Sequence, residues 1–497
     1  MLKIRLLPNL DFENKKNIII NSIRPHFYSL AVEFYIGALL RRRGHKVFII
    51  LDFGTLSHWD SSHATSESAP TYYSGGIRSF IIGQLYKLIF MFAAIIGDIR
   101  ILRLRSLDIS RVVLEPSEIA HVNSSCERYS SQINLSKNPK RHPYYIQSVK
   151  NAKLLKVNFE YFKNKISPDL IISSHGVYVS WGIIHDLAVK NYISTLVCTS
   201  CIYNTGSAWL TNNALQKIYD DYSSYKEKNK SIPNALEFDS LKFLMNRINY
   251  KAPDIKIYYE KEFSEIKISN KWRKTYALFP NIVWDGAVDE RNTIFDGVID
   301  WSVKTIEFFR DYLTEDLLII RLHPAEATLT KFSEKFVSIL LKYIPDLYHI
   351  NNIQIIGSDV SLDLYDFIKS KIDIPLIYDG NLAYEIIMLD KPLVIFSKPR
   401  YSSAQIGYEL ETLDEYFSFL TDHSSVLDWF KTNKSSIIKN LEDFARYYFF
   451  TTNYYLPIFS NKNYWDYNVD LNNSEIDELI NQSLELTINR LSGMSNV

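Results

Sequence analysis

Arg321-Leu322-His323-Pro324-Ala325-Glu326 sets a guanidinium, an imidazole and a carboxylate within six residues, directly after the strand-like run Leu317-Leu318-Ile319-Ile320. Open α/β sheets bind ligands beyond the carboxyl ends of their strands, where connecting loops carry polar groups above a rigid sheet. Arg and His are hydrogen-bond donors and Arg is always charged, which suits the phosphates of an activated donor. Taken alone, the hexapeptide also reads as an ordinary strand-end turn with an Arg321–Glu326 surface ion pair.

Three further segments carry polar groups at strand ends. His175-Gly176-Val177-Tyr178 follows Leu170-Ile171-Ile172-Ser173-Ser174. His175 has a pKa suited to taking a proton from a hydroxyl, and Tyr178 and Trp181 present faces for a sugar; the competing readings are a loop-bonded His and a Trp that packs the helix start. In Phe279-Pro280-Asn281-Ile282-Val283-Trp284-Asp285, Asn281 and Asp285 are candidates to position a donor, with Arg291 as a partner for Asp285. In Tyr378-Asp379-Gly380-Asn381-Leu382-Ala383-Tyr384-Glu385, Asp379 or Asn381 can cap a helix whose N–H groups face an anion. Glu385 lies one turn further in, placed either to hold a ribose or to complement the helix dipole.

The elements that must position these groups alternate. Asn17–Ile20 is a strand, 30–42 a helix stopped by Gly44, and Lys46–Leu51 the next strand, which opens a Rossmann-like domain. A second alternation covers Asp169–Thr199, and residues 211–265 read as polar helices bridging two halves. A third begins near Lys274, with strands at 275–279, 317–322, 353–356, 376–378 and 392–396 separated by helices at 294–312, 330–343, 362–371 and 382–389. The expected fold class is therefore α/β, with two Rossmann-like domains facing each other across a cleft. Residues 1–265 are expected to form the N-terminal Rossmann-like domain with a helical insertion, 266–448 the C-terminal Rossmann-like domain, and 449–497 a helical tail packing back on the first domain.

Composition bounds the partners. At 497 residues the chain is long enough for two cores. Its 56 basic and 56 acidic residues cancel, so no overall basic field points to nucleic acid. Three cysteines are too few for a disulfide framework, and a cytoplasmic location is expected. Cys198 and Cys201 lack the further ligands of a zinc site. The apolar run 80–97 has Lys87 near its middle, so a buried or interface-lying helix is expected rather than a spanning one. The basic flank Arg100, Arg103 and Arg105 adds peripheral contact with the inner membrane surface as a minority expectation. No Walker, dinucleotide or zincin motif and no Asp-x-Asp clamp is present, so no metal and no cofactor are expected beyond a nucleotide-sugar co-substrate.

Taken in order, His175-Gly176-Val177-Tyr178 with Trp181-Gly182, Phe279-Pro280-Asn281 with Trp284-Asp285, Arg321-Leu322-His323-Pro324-Ala325-Glu326, and Glu385 with Lys391-Pro392 resemble the capsule polysaccharide biosynthesis family of bacterial glycosyltransferases. The resemblance runs from about Asn17 to Tyr448. It implies a GT-B architecture with the donor in the C-terminal domain, and a His-Pro pair similar to the motif that grips the cytidine monophosphate (CMP) of sialyl- and Kdo-type donors. By that analogy His323 contacts donor phosphate, Pro324 shapes the nucleotide pocket, and Arg321 and Glu326 support them. The turn before the Glu385 helix departs from the family's Ser/Thr-rich pattern, being Asp379-Gly380-Asn381.

The resulting expectation is a metal-independent glycosyltransferase, with His175 as base, Arg321 and His323 on the leaving group, and a surface polysaccharide or glycolipid as acceptor. Alternatives are a CDP-polyol phosphotransferase, a sugar-nucleotide epimerase of the same fold, and a non-catalytic scaffold in polysaccharide assembly.

Overall fold

The computed structural model describes residues 15–23, 33–53, 55–56, 88–130, 143–200, 207–211, 222–223, 239–251, 263–283, 293–328, 334–451, 453–455, 459–463 and 466–469, apart from positions 35, 39, 42, 43, 90, 93, 96, 175 and 270. The chain divides into two compact units, one of residues 1–130, 134–215 and 452–497, the other of 131–133 and 216–451.

In the first unit, β1 (Asn17–Asn21) is a central strand. Its Ile18, Ile19 and Ile20 are all buried, as a parallel strand covered on both faces requires. Beyond it on one side lie β2 (Lys46–Leu51) and β3 (Arg100–Arg103). The chain then returns through α1 (Pro116–Ser130) and α2 (Pro143–Ile166) to β4 (Leu170–Ser174), which pairs with the opposite edge of β1. Helix α3 (Tyr178–Lys190) and β5 (Ser194–Ser200) follow, and β6 (Ser207–Thr211) runs antiparallel on β5. The parallel order 3-2-1-4-5 is that of a Rossmann half, and its direction reverses between β1 and β4. Helices α1 and α3 meet closely at Gly182, where a Cβ would lie 2.3 Å from the His121 ring.

The second unit repeats the plan. Helix α4 (Ser240–Ile248) precedes β7 (Thr275–Phe279), α5 (Val298–Asp311), β8 (Leu317–Arg321), α6 (Phe336–Tyr343) and β9 (Ile353–Ile356). Then come α7 (Leu364–Lys371), β10 (Ile374–Ile377), α8 (Leu382–Met388), the two-residue strands β11 (Val394–Ile395) and β12 (Tyr408–Glu409), α9 (Leu413–Thr421) and α10 (Ser424–Arg446). The four-stranded sheet is parallel in the order β10-β7-β8-β9, so its direction reverses between β7 and β10. Both units are Rossmann-like α/β layers.

Three expectations are corrected. The division falls at residues 215 and 216 rather than at 265. The reason is α4, whose Ser240 hydroxyl donates to the Glu442 carbonyl (3.1 Å) and whose Arg247 pairs with Glu385, so it belongs to the second unit. The described part of the expected helical tail is extended beyond a π-helical turn at Tyr447–Thr451. Asn453–Tyr455 pairs antiparallel with β6, and Phe459–Asn463 forms a hairpin with Asp466–Val469. Finally, of the two expectations for the apolar run, a buried or an interface-lying helix, the described residues within 88–95 do not fit the buried one. Leu88, Ile89, Phe92 and Ile95 are exposed, while Ala94 supplies the inward contact. Among the described residues no helix is long and apolar enough to cross a membrane.

The second unit's core is organised by Trp301, fully buried on α5, whose indole N–H donates to Tyr416 on α9 (2.8 Å). Thr305 Oγ1 meets the same hydroxyl at 2.9 Å, and burial pushes the Tyr416 phenol well above its ordinary pKa. Tyr416→Phe leaves the indole N–H unmatched in the core. Urea unfolding is expected to show a loss of about 1–3 kcal/mol with an unchanged m-value.

Candidate functional site

Where a sheet reverses direction, connections leave the central strand to both sides and a crevice opens beyond its carboxyl end. In the second unit that place is bounded by β7 and β10, in register as Phe279 beside Ile377. Asn281, two residues past β7, donates from Nδ2 to the Asp379 carbonyl past β10 (3.0 Å) and so clasps the crevice. Its own Oδ1 is buried with no partner among the described residues, and so is Asn381 Oδ1. Asn381 stands at the N-terminal boundary of α8 but makes no side-chain cap, which removes the capping reading for it. Between them Gly380 adopts φ +134°, a conformation suited to glycine, and its N–H is held by the Asp379 carboxylate (2.8 Å).

Two residues past the neighbouring strand β8, His323 is half-buried, and its Nδ1 accepts from the Ala325 N–H at 3.1 Å. A nitrogen that accepts carries no proton, so in the neutral ring the hydrogen is on Nε2 and the far side of the imidazole is a donor. Pro324, also half-buried, starts the tight turn that places Ala325 there.

The charged neighbours of His323 are engaged in the fold, which corrects the expected roles of three residues. Arg321 is buried, 5% exposed, and donates to the carbonyls of Gly357 and, at 2.9 Å, of Val360. It therefore fastens the loop after β9, an outcome its position at a strand end does not distinguish from phosphate binding. Glu326, 1% exposed, accepts the Phe336 N–H at 3.0 Å and holds the start of α6. Burial raises its pKa, opposed by that N–H and by Lys335. With both side chains buried, the surface ion-pair reading fails as well. Glu385 is 4% exposed and its Oε1 meets Arg247 Nε at 2.8 Å, inside the unit rather than presented to a ribose.

A cation that sequence reasoning passed over stands nearer the crevice. Arg400 Nη2 lies 3.9 Å from Asp379 Oδ2, and its guanidinium covers the Tyr448 ring at 5.4 Å while bonding the Tyr448 hydroxyl. It sets a positive charge beside Asp379, the acid that would otherwise repel a phosphate. Its signal in the sequence was a Lys398-Pro399-Arg400 turn just beyond a short buried strand.

In the first unit, Tyr178 and Trp181 pack together with ring centroids 6.4 Å apart, and they are 9% and 4% exposed. The expected sugar platform is a buried contact at the start of α3, with Tyr178 in the left-handed region at φ +66°. His175 and Asp285, with Trp284 and Arg291, lie outside the described residues, as do the side chains of Cys198 and Cys201.

No family model matches the chain, and no curated protein matches it in sequence. Similar solved structures include a KpsC β-Kdo 2,7-transferase of Thermosulfurimonas dismutans, at 11% identity over 69% of this chain and 97% of that one, with a TM-score of 0.37. A KpsC β-Kdo 2,4-transferase of the same organism matches at 11% identity over 50% and 78%, with a TM-score of 0.35. A Methanocaldococcus jannaschii UDP-GlcNAc 2-epimerase, in complex with UDP-GlcNAc and UDP, matches at 12% identity over 95% and 100%, with a TM-score of 0.30. Likenesses this distant assign this chain neither a substrate nor a mechanism.

The buried Arg247–Glu385 pair ties α4 to α8 beneath the crevice. Either charge left alone in that interior is poorly solvated. Arg247→Ala and Glu385→Ala are each expected to lose about 3–5 kcal/mol in chemical unfolding, whereas Arg247→Met combined with Glu385→Leu recovers most of the loss.

Proposed function

We propose that this chain is a metal-independent glycosyltransferase, moving a sugar from a nucleotide-activated donor, CMP-linked in the first instance, to a surface polysaccharide or glycolipid acceptor. The observation that carries the reading is the crevice beyond β7, β8 and β10. There the donor face of His323, the two unpartnered amide oxygens of Asn281 and Asn381, and Arg400 beside Asp379 belong to one unit. Amide oxygens accept from the N–H and O–H groups of a nucleoside, while an imidazole N–H and a guanidinium suit its phosphate.

In the transfer step the acceptor oxygen bonds to the anomeric carbon as the bond from that carbon to the phosphate oxygen breaks; the electron pair leaves on phosphate, and the acceptor's hydroxyl proton goes to a general base, the role expected of His175. His323 donates from Nε2 to the oxygen on which charge develops. Arg321 acts through position alone, by holding the 357–360 loop against the end of β8. Contact with a membrane surface fits the exposed row Leu88, Phe92 and Ile95 followed by Arg100 and Arg103, which would bring the enzyme to a lipid-linked acceptor.

Calorimetric titration with CMP tests the reading. The wild-type protein is expected to bind, and His323→Ala to weaken binding by about tenfold to a hundredfold, the range for one charge-assisted hydrogen bond. Unchanged affinity in a folded His323→Ala protein removes His323 from the donor site. Absence of CMP binding by the wild type favours the assembly scaffold.

A further inference from the structure

The first unit has its own reversal point, between β1 and β4, and it gathers buried polar atoms that the fold does not use. Asn21, the last residue of β1, is fully buried. Its Nδ2 donates to Ser173 Oγ and to the Ser180 carbonyl, both at 3.1 Å, while its Oδ1 has no partner among the described residues. Ser22 follows at 2% exposure; its N–H bonds the Ile50 carbonyl and its hydroxyl has no partner among the described residues. Glu33, 7% exposed on the helical stretch that returns over the sheet, has its Oε2 buried and likewise unpartnered.

Three such atoms around the end of one strand are unusual, since a buried polar group without a hydrogen bond costs about 1–3 kcal/mol. Their chemistry also selects the ligand. An amide oxygen and a carboxylate accept and a hydroxyl does either, so the complement supplies O–H donors and is not an anion.

We propose that Asn21, Ser22 and Glu33 form a hydroxyl-binding site at the β1/β4 reversal, taking an uncharged polyol or sugar, with Glu33 accepting a hydrogen bond from a bound hydroxyl. The site stands on the geometry of the first unit alone.

Burial raises the Glu33 pKa from 4.5 to about 8, and Ser22 is close enough to oppose the shift without completing a hydrogen bond of normal geometry. Ser22, just past β1, is the group facing Glu33, and among the described residues no charged side chain contributes to the shift. The folded pKa therefore lies above the unfolded one. Between 4.5 and about 8 the folded chain holds a proton that the unfolded chain has released, so stability falls as pH rises across that window and is level above it.

The test uses the full chain, with ribitol and methyl α-glucopyranoside as probes read by saturation-transfer NMR. The wild type is expected to bind a probe more tightly above pH 8 than below it, because a hydroxyl donates to the ionised carboxylate. Glu33→Leu should lower the affinity at least about tenfold. Glu33→Gln keeps an acceptor oxygen, so it should retain binding while losing the pH dependence of binding and the fall in thermal stability that Glu33 contributes between pH 4.5 and about 8; this variant decides the matter if Glu33→Leu does not fold. Equal binding by a folded Glu33→Leu protein, a stability profile identical in wild type and Glu33→Gln, or no saturation transfer from either probe overturns the site. CMP titration of the same preparations separates the two proposals. Hydroxyl binding without CMP binding sinks the donor reading alone, and CMP binding without hydroxyl binding sinks this site alone.

Discussion

Each sheet has a central strand flanked on both sides by parallel partners, and the rest of the structure depends on that constraint. A parallel neighbour can be reached only by a crossover over one face. When β1 and β7 each receive partners on both edges, the crossovers leave in opposite directions and cannot both cover the strand's carboxyl end. Polar residues placed there are held rigidly by a buried sheet yet remain uncommitted to it. Asn21 at the end of β1 with Ser22 just past it, and Asn281 past β7, lie at the carboxyl ends of the central strands of their units. Each of the three keeps an oxygen without a partner among the described residues.

The charged residues around the second crevice have a different task. Arg321, Glu326 and Glu385 lie within a few residues of His323 or Asn381 in sequence, but their side chains bond inward to a loop, to a helix start and to Arg247. A buried ion pair contributes little net stability compared with an apolar replacement, but breaking it is costly. Arrangements of this kind define loop positions more than they strengthen the fold, and a site built on loops needs that definition. In the proposed function, His323 and the two asparagines meet a ligand against fixed surroundings, with Arg400 offsetting Asp379.

Much of the scaffold was legible. Runs such as Ile18-Ile19-Ile20 and Leu317-Leu318-Ile319-Ile320, bounded by polar residues, located strands to within a residue or two. Alternation with helices of the right length gave parallel sheets. The unit boundary was not legible, because α4 is a polar amphipathic helix and only its long-range partners, Glu442 and Glu385, show which core it joins. At the sites, residue type at a strand end singled out Asn281, His323 and Asn381 as candidates, and did not foresee that the side chains of Arg321 and Glu385 bond inward. A guanidinium has the same donors whether it meets a phosphate or a backbone carbonyl, and sequence does not say which is within reach. Glu33 gave no signal at all, since a glutamate near a helix start is ordinary until its burial is known. The Asn-Ser pair ending the first strand was the available hint.

A structure of the protein crystallised with CMP tests the central claim most directly. The account places the nucleotide beyond the carboxyl ends of β7, β8 and β10, with a phosphate oxygen in hydrogen-bond contact with His323 Nε2 and the nucleoside against Asn281 or Asn381. Nucleotide bound elsewhere on the second unit, with His323 turned away from it, would contradict the account.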